Sequence, residues 1–142
     1  MKPKINYLAV LVSGLFYWIL GAVWYSPLLF GNKFIALMKW TPQELATIAQ
    51  QSAVWQLVVA LLGSLLLAYI LAHFVKYTQA NTALEGVVTA LWLWLGFVVV
   101  TNLNTVLFEF RPVGLYLINL SYHLVAMAAM GALLAVWQKL KA

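Results

Sequence analysis

Residues 45–75 read LATIAQQSAVWQLVVALLGSLLLAYILAHFV, 31 residues without a single Asp, Glu, Lys or Arg. An α-helix needs about 20 predominantly apolar residues to cross the hydrocarbon core of a bilayer. Three further uncharged intervals, 5–32, 86–108 and 112–138, hold 28, 23 and 27 residues. Lipid offers the backbone no hydrogen-bond partners, so a spanning segment must be a helix or part of a closed barrel. Barrel strands alternate apolar and polar residues in segments of about ten, and none of the four intervals does. The sequence therefore reads as an all-α protein, an integral membrane four-helix bundle, with residues 1–142 forming a single transmembrane domain.

Composition agrees. The chain is 65% hydrophobic and 8% charged, with mean hydropathy +0.95. A soluble domain is about half apolar and about a quarter charged, so this chain has too little polar surface to cover itself in water. No cysteine is present, which excludes disulfides, thiolate metal ligands and cysteine nucleophiles. The net charge of +5 comes from basic residues at the edges of the apolar runs, with no patch among them. They read as charges flanking membrane spans. The lipid bilayer is the expected partner, and nucleic acid is not.

Local signals set the boundaries at about 6–26, 53–76, 84–105 and 113–137. Lys2 and Lys4 ahead of an apolar run resemble a signal peptide. That run is too long for one and lacks a small-residue cleavage pattern, so it is taken as the first span. Pro27 biases Ser26 away from helix. A short interfacial segment, about 28–52, then links spans 1 and 2. Its stretch KFIALMKW, 33–40, mixes lysine with bulky apolar residues, as a segment lying along the interface does. Thr41-Pro42-Gln43-Glu44 and Thr82-Ala83-Leu84-Glu85 both match capping boxes, so helices are expected to start near 42 and 83. A helix from 42 to 77 would measure roughly 54 Å. It must therefore overhang, tilt or break near Gln51-Ser52. Trp24, Tyr25, Trp40 and Tyr116 are expected as an aromatic belt at one interface, with Tyr7, Tyr77 and Trp137 at the other.

Four spans put both termini on one side. Lys2, Lys4, Lys76, Lys139 and Lys141 belong to that side, and Lys33, Lys39 and Arg111 to the other. The excess of basic residues makes the terminal side cytoplasmic.

Helices in lipid associate through close backbone approach and interhelical hydrogen bonds. Span 2 carries small residues at Ala60, Ser64, Ala68 and Ala72, and span 4 carries Gly131 among alanines. These are the expected packing positions. A unit this small leaves much lateral surface free, so a homo-oligomer or a place in a larger membrane complex is expected.

One stretch resists this pattern. YLINLSYHLV, 116–125, places Asn119 and His123 one helical turn apart inside span 4. Antiparallel span 3 should bring Asn102 and Asn104 alongside, the following link brings Glu109 and Arg111, and the end of span 1 brings Tyr25 and Ser26. Polar groups thus gather in the half of the bilayer opposite the termini. Two readings stay open. Asn119 and His123 could hydrogen-bond neighbouring helices, each bond contributing about 0.6–2 kcal/mol. Alternatively they could line a polar half-cavity that conducts protons or a small solute, since intramembrane ionisable groups face cavities or partners. Two histidines, three acids and no cysteine do not suggest a metal site. No nucleophile–base pair, phosphate loop or dinucleotide motif is present. Neither a cofactor nor an enzymatic activity is expected.

The runs NYLAVLVSGLFYWILGAVWYSPLLFG, LWLWLGF, FEFRP and YLINLSYHLVAMAAMGALLA together resemble a family of small bacterial and fungal membrane proteins, domain of unknown function 1761. The resemblance covers nearly the whole chain. It implies a four-span protein of the bacterial inner (cell) membrane and brings no activity with it. The motif residues it carries over are Trp24, Tyr25, Ser26, Pro27, Gly31, Gly96, Phe97, Glu109, Arg111, Pro112, Asn119 and His123.

Overall fold

The computed structural model describes residues 3–51 and 53–140, with side chains described as far as Trp137. Lys2, Ser52 and Lys141, used above for orientation and for the break, lie outside the described residues, as does the side chain of Lys139. The fold is all-α. Four helices are long and apolar enough to cross a membrane: α1 (Tyr7–Trp24), α4 (Val54–Tyr77), α5 (Ala83–Leu107) and α6 (Val113–Leu140). Two short helices, α2 (Gly31–Met38) and α3 (Pro42–Gln50), join α1 to α4.

Side chains cap the starts of α1, α3 and α5. The Asn6 side chain accepts from Leu8 N at 3.1 Å and Ala9 N at 3.3 Å, starting α1. Both predicted capping boxes form. Thr41 Oγ1 accepts from Glu44 N while Glu44 Oε2 accepts from Thr41 N, and Thr82 and Glu85 repeat the exchange. Thr82→Ala should therefore lower stability by about 1 kcal/mol, measurable as a shift in detergent-based unfolding. A Thr82→Ser variant that is equally destabilised would show that the cap contributes nothing. Of the three expectations for residues 42–77, the break is what the structure contains: α3 ends at Gln50, Gln51 is extended (ψ 138°), and α4 begins at Val54.

The third span is less regular than its apolar run suggests. Trp94–Val99 forms a π-helical stretch inside α5, and Leu103 interrupts the helix between Val100–Asn102 and Asn104–Leu107. A π turn accommodates one extra residue, which rotates everything beyond it relative to a regular helix.

α6 is the hub. It packs against α5, α1 and α4, whereas α4 and α5 touch each other only lightly. Nearly half of its spanning window, 44%, is buried, against 17–28% in the other three. Two glycines let α5 come close. A Cβ on Gly86 would stand 2.0 Å from the Gly131 carbonyl oxygen, and one on Gly131 would stand 2.3 Å from the Gly86 carbonyl oxygen. Around this contact lie buried Ala68, Ala72, Ala90, Met130, Leu134 and Ala135. On the other flank Gly14 admits Leu65 of α4, whose Cα would lie 3.0 Å from an added Cβ. The predicted packing positions Ser64, Ala68, Ala72 and Gly131 are buried. Ala60 is exposed, because the first half of α4 leaves an open groove beside α1.

Candidate functional site

The second half of α1 and the first half of α6 run antiparallel, and aromatic residues knit them together. Tyr25 Oη donates to Asn119 Oδ1 at 2.6 Å. Tyr17 Oη lies 2.7 Å from His123 Nδ1. With the phenol as donor, that ring nitrogen is the acceptor. Tyr122 Oη donates to the Tyr17 carbonyl at 2.7 Å, and Trp24 Nε1 donates to the Ile118 carbonyl at 3.3 Å. From α5, Trp94 Nε1 donates to the Leu120 carbonyl at 3.0 Å, while Tyr116 Oη reaches back to the Val99 carbonyl at 2.7 Å. The rings of Tyr17, Tyr25 and Trp24 also pack on Tyr122, with centroids 5.0, 5.6 and 6.2 Å away.

Gly21 makes the α1–α6 contact possible, because Tyr122 Oη sits 2.8 Å from where its Cβ would be. Gly21→Ala should push that hydroxyl off the Tyr17 carbonyl and cost about 1–3 kcal/mol, readable as a lowered thermal midpoint. An unchanged midpoint would show that the ring has room to move.

These bonds orient two side chains. Asn119 uses its carbonyl oxygen on Tyr25, and its amide NH2 has no partner among the described residues. Where the Tyr17 phenol donates to Nδ1, the neutral His123 ring carries its proton on Nε2. Among the described residues Nε2 has no hydrogen-bond partner, and it is not fully buried. Both residues line a cavity of about 60 Å3, together with Asn102, Thr105, Tyr116 and Arg111. That volume holds about two waters. The cavity sits between α5, α6 and their link. Arg111 reaches it because its backbone N–H bonds the Thr105 carbonyl at 2.9 Å, and because Phe110 adopts a left-handed conformation (φ 54°) that turns the chain back.

The structure brings Asn102, Arg111, Asn119 and His123 to one cavity and ties Tyr25 to its wall. Ser26, Asn104 and Glu109 are not brought there. Ser26 Oγ donates to the Val23 carbonyl at 2.6 Å, finishing α1. Asn102 and Thr105 line the cavity and Asn104 does not; Asn102 and Asn104 are both exposed, and Thr105 is half-buried. Glu109 stays on the exposed loop, where Oε2 accepts from Arg111 Nε at 2.8 Å. Thr101 donates to the Phe97 carbonyl of its own helix.

The sequence reading missed Tyr17, Tyr122 and Trp94 and treated Trp24 and Tyr116 as belt residues, while it named Tyr25 both for the belt and for the polar cluster. Each of these six bonds another helix. A signal was present in α1, where Tyr17, Gly21 and Trp24 to Tyr25 follow helical spacing, with a glycine between the aromatics. His73, the second histidine, lies toward the terminal side, where Nδ1 bonds the Tyr69 carbonyl at 2.9 Å. Among the described residues no three His, Asp or Glu side chains come together as a metal site would require.

No curated protein and no solved structure matches this chain. A family model described as "Protein of unknown function (DUF1761)" matches residues 8–135. That stretch contains the glycine contact, the aromatic clasp and the polar cavity, and on it the chain belongs to the DUF1761 family.

Proposed function

We propose that this is a non-enzymatic membrane protein with a structural or partner-binding role, in which the polar cluster clasps α1 to α6. One observation carries the reading: Asn119 and His123 each hold a tyrosine of α1, at 2.6 and 2.7 Å. The cavity behind them measures about 60 Å3, far below the roughly 300–1,000 Å3 of small-molecule sites. The partner reading rests on the groove of about 490 Å3 between α1 and α4, where Ala60 and Gly63 lie open beside Trp18 and Leu57. Small exposed residues in a spanning helix permit close approach of another helix, and a second copy of the chain is the expected occupant.

No atom lies within 4 Å of a Cβ built on Gly63, so Gly63→Leu should leave the fold intact. Wild-type protein is expected to run as an oligomer in light scattering of the detergent complex, and the variant as a monomer. A monomeric wild type, or an oligomer indifferent to the substitution, would refute self-association through this groove.

A second reading is proton conduction. It is favoured by the placement of Tyr17 and Tyr25, which line the groove and also bond the two residues of the cavity. Proteoliposomes should then pass protons faster than empty vesicles, and His123→Ala should remove the difference. Equal rates for protein-containing and empty vesicles would end this reading.

A further inference from the structure

We infer that residues 100–110, the outer end of α5 with the start of its link to α6, form a gate over the cavity that holds Asn119 and His123. The gate is hinged at the π-helical stretch Trp94–Val99 and opens toward the side opposite the termini. The two halves of α5 are held in different ways. Ala83–Leu93 makes most of the contact with α6 and buries Gly86, Thr89 and Ala90. From Trp94 to Leu107 no residue is buried. Two hydrogen bonds tie this outer half to α6, and both sit at the π stretch: Trp94 Nε1 donates to the Leu120 carbonyl, and Tyr116 Oη donates to the Val99 carbonyl. Beyond Val99 the hydrogen bonds of the described residues stay within α5 and the link. Asn102 Nδ2 donates to the Val98 carbonyl at 2.9 Å, Thr105 Oγ1 to the Asn102 carbonyl at 2.8 Å, and the Arg111 N–H to the Thr105 carbonyl at 2.9 Å. A segment with few buried contacts and exposed hydrogen bonds opens at low cost.

The hinge is built for bending. π turns occur mostly as single bulges inside α-helices, frequently at functional sites, and sharp helix bends fall at them. Gly96 lies inside the stretch with no atom within 4 Å of its Cβ position, so the backbone there has room to move. At the far end Phe110 is left-handed and Pro112 follows. The segment is thus bounded by bends on both sides. It supplies one wall of the cavity, with Asn102 and Thr105, and α6 supplies the other, with Asn119, Leu120 and His123. Swinging the first wall outward opens the second to water. The Tyr116–Val99 bond joins the two walls next to the hinge, and it is the latch.

Thiol labelling tests this directly, because the chain has no cysteine and an introduced one is the only thiol. Leu120 is 8% exposed and lines the cavity. The closed cavity, about 60 Å3, holds about two waters and no methanethiosulfonate reagent, so modification at this position reports opening. In detergent, Leu120→Cys should react with a charged methanethiosulfonate at a measurable rate. Adding Tyr116→Phe should raise that rate about 2–10-fold, the factor for one lost hydrogen bond. Leu134→Cys, fully buried in the hub, should stay unmodified in both backgrounds. Hydrogen exchange of the wild-type protein gives a reading that needs no variant: amides of 100–110 should exchange well before those of Ala83–Leu93. A thiol at 120 that never reacts, or reacts no faster with Tyr116→Phe, overturns the gate. So does equal exchange in the two halves of α5, or a thiol at 134 as reactive as the one at 120, which would mean general unfolding. Absence of proton flux would end the conduction reading and leave the gate standing.

Discussion

Gly131→Ala is expected to lower stability by about 3 kcal/mol or more, at the upper end of what overpacking costs. The added methyl would meet the Gly86 carbonyl oxygen at 2.3 Å and the Ala90 Cβ at 2.9 Å. The first of these is backbone and cannot rotate away as a side chain would. α5 has to retreat, and the α5–α6 interface is among the main contacts of the hub helix. In lipid, close van der Waals packing of this kind is one of the few forces that associate helices, so little compensates for its loss. Gly86→Ala should behave alike, since its methyl would face the Gly131 carbonyl oxygen at 2.0 Å. Gly96→Ala is the control. Nothing lies within 4 Å of its Cβ, and it should change stability by no more than about 0.5 kcal/mol. Equilibrium unfolding in mixed micelles reads all three. Equal losses at Gly131 and Gly96 would mean that α5 and α6 do not meet at this contact.

Asn119→Leu should be nearly as damaging, at about 1–3 kcal/mol. The substitution removes the acceptor of Tyr25 Oη and strands a half-buried hydroxyl. Tyr25→Phe should cost a similar amount by stranding the Asn119 carbonyl. The double variant should cost less than the sum, because neither unsatisfied group remains. A coupling of about 1 kcal/mol is expected for residues in direct contact, within the range measured for hydrogen bonds between membrane helices. Strict additivity would show that the two side chains do not bond in solution.

The spans were legible because exclusion of charge is a strong and local signal. Both capping boxes were legible because a cap is a local pattern of four residues, and the structure forms each as read. The gathering of Asn102, Arg111, Asn119 and His123 followed from antiparallel geometry alone. The clasp was harder to see. A tyrosine near the end of a span satisfies the belt pattern whether its hydroxyl points to headgroups or to Asn119, and only the rotation of α1 about its axis distinguishes the two. Ser26 turns its hydroxyl to the Val23 carbonyl of its own helix and Glu109 stays on the loop with Arg111, whereas Asn104 was misplaced for a related reason. The π stretch at Trp94–Val99 changes the face that each later residue presents, and nothing in the run WLGFVV announces it. Gly86 and Gly131 could each be recognised as packing positions, but their pairing depends on the relative heights of two helices, which no single helix encodes.

The central claim is that α1 tyrosines decide how His123 faces its cavity, and the histidine nitrogens report on it directly. The chain has two histidines. His73 Nδ1 bonds a carbonyl oxygen, which can only accept, so that ring carries its proton on Nδ1. With the Tyr17 phenol as donor, His123 accepts at Nδ1 and carries its proton on Nε2. Nitrogen-15 NMR of the histidine-labelled protein near neutral pH should therefore show one ring of each tautomer, and Tyr17→Phe should move only the Nε2–H ring. Two rings of the same tautomer, or a spectrum unchanged by Tyr17→Phe, would contradict the account.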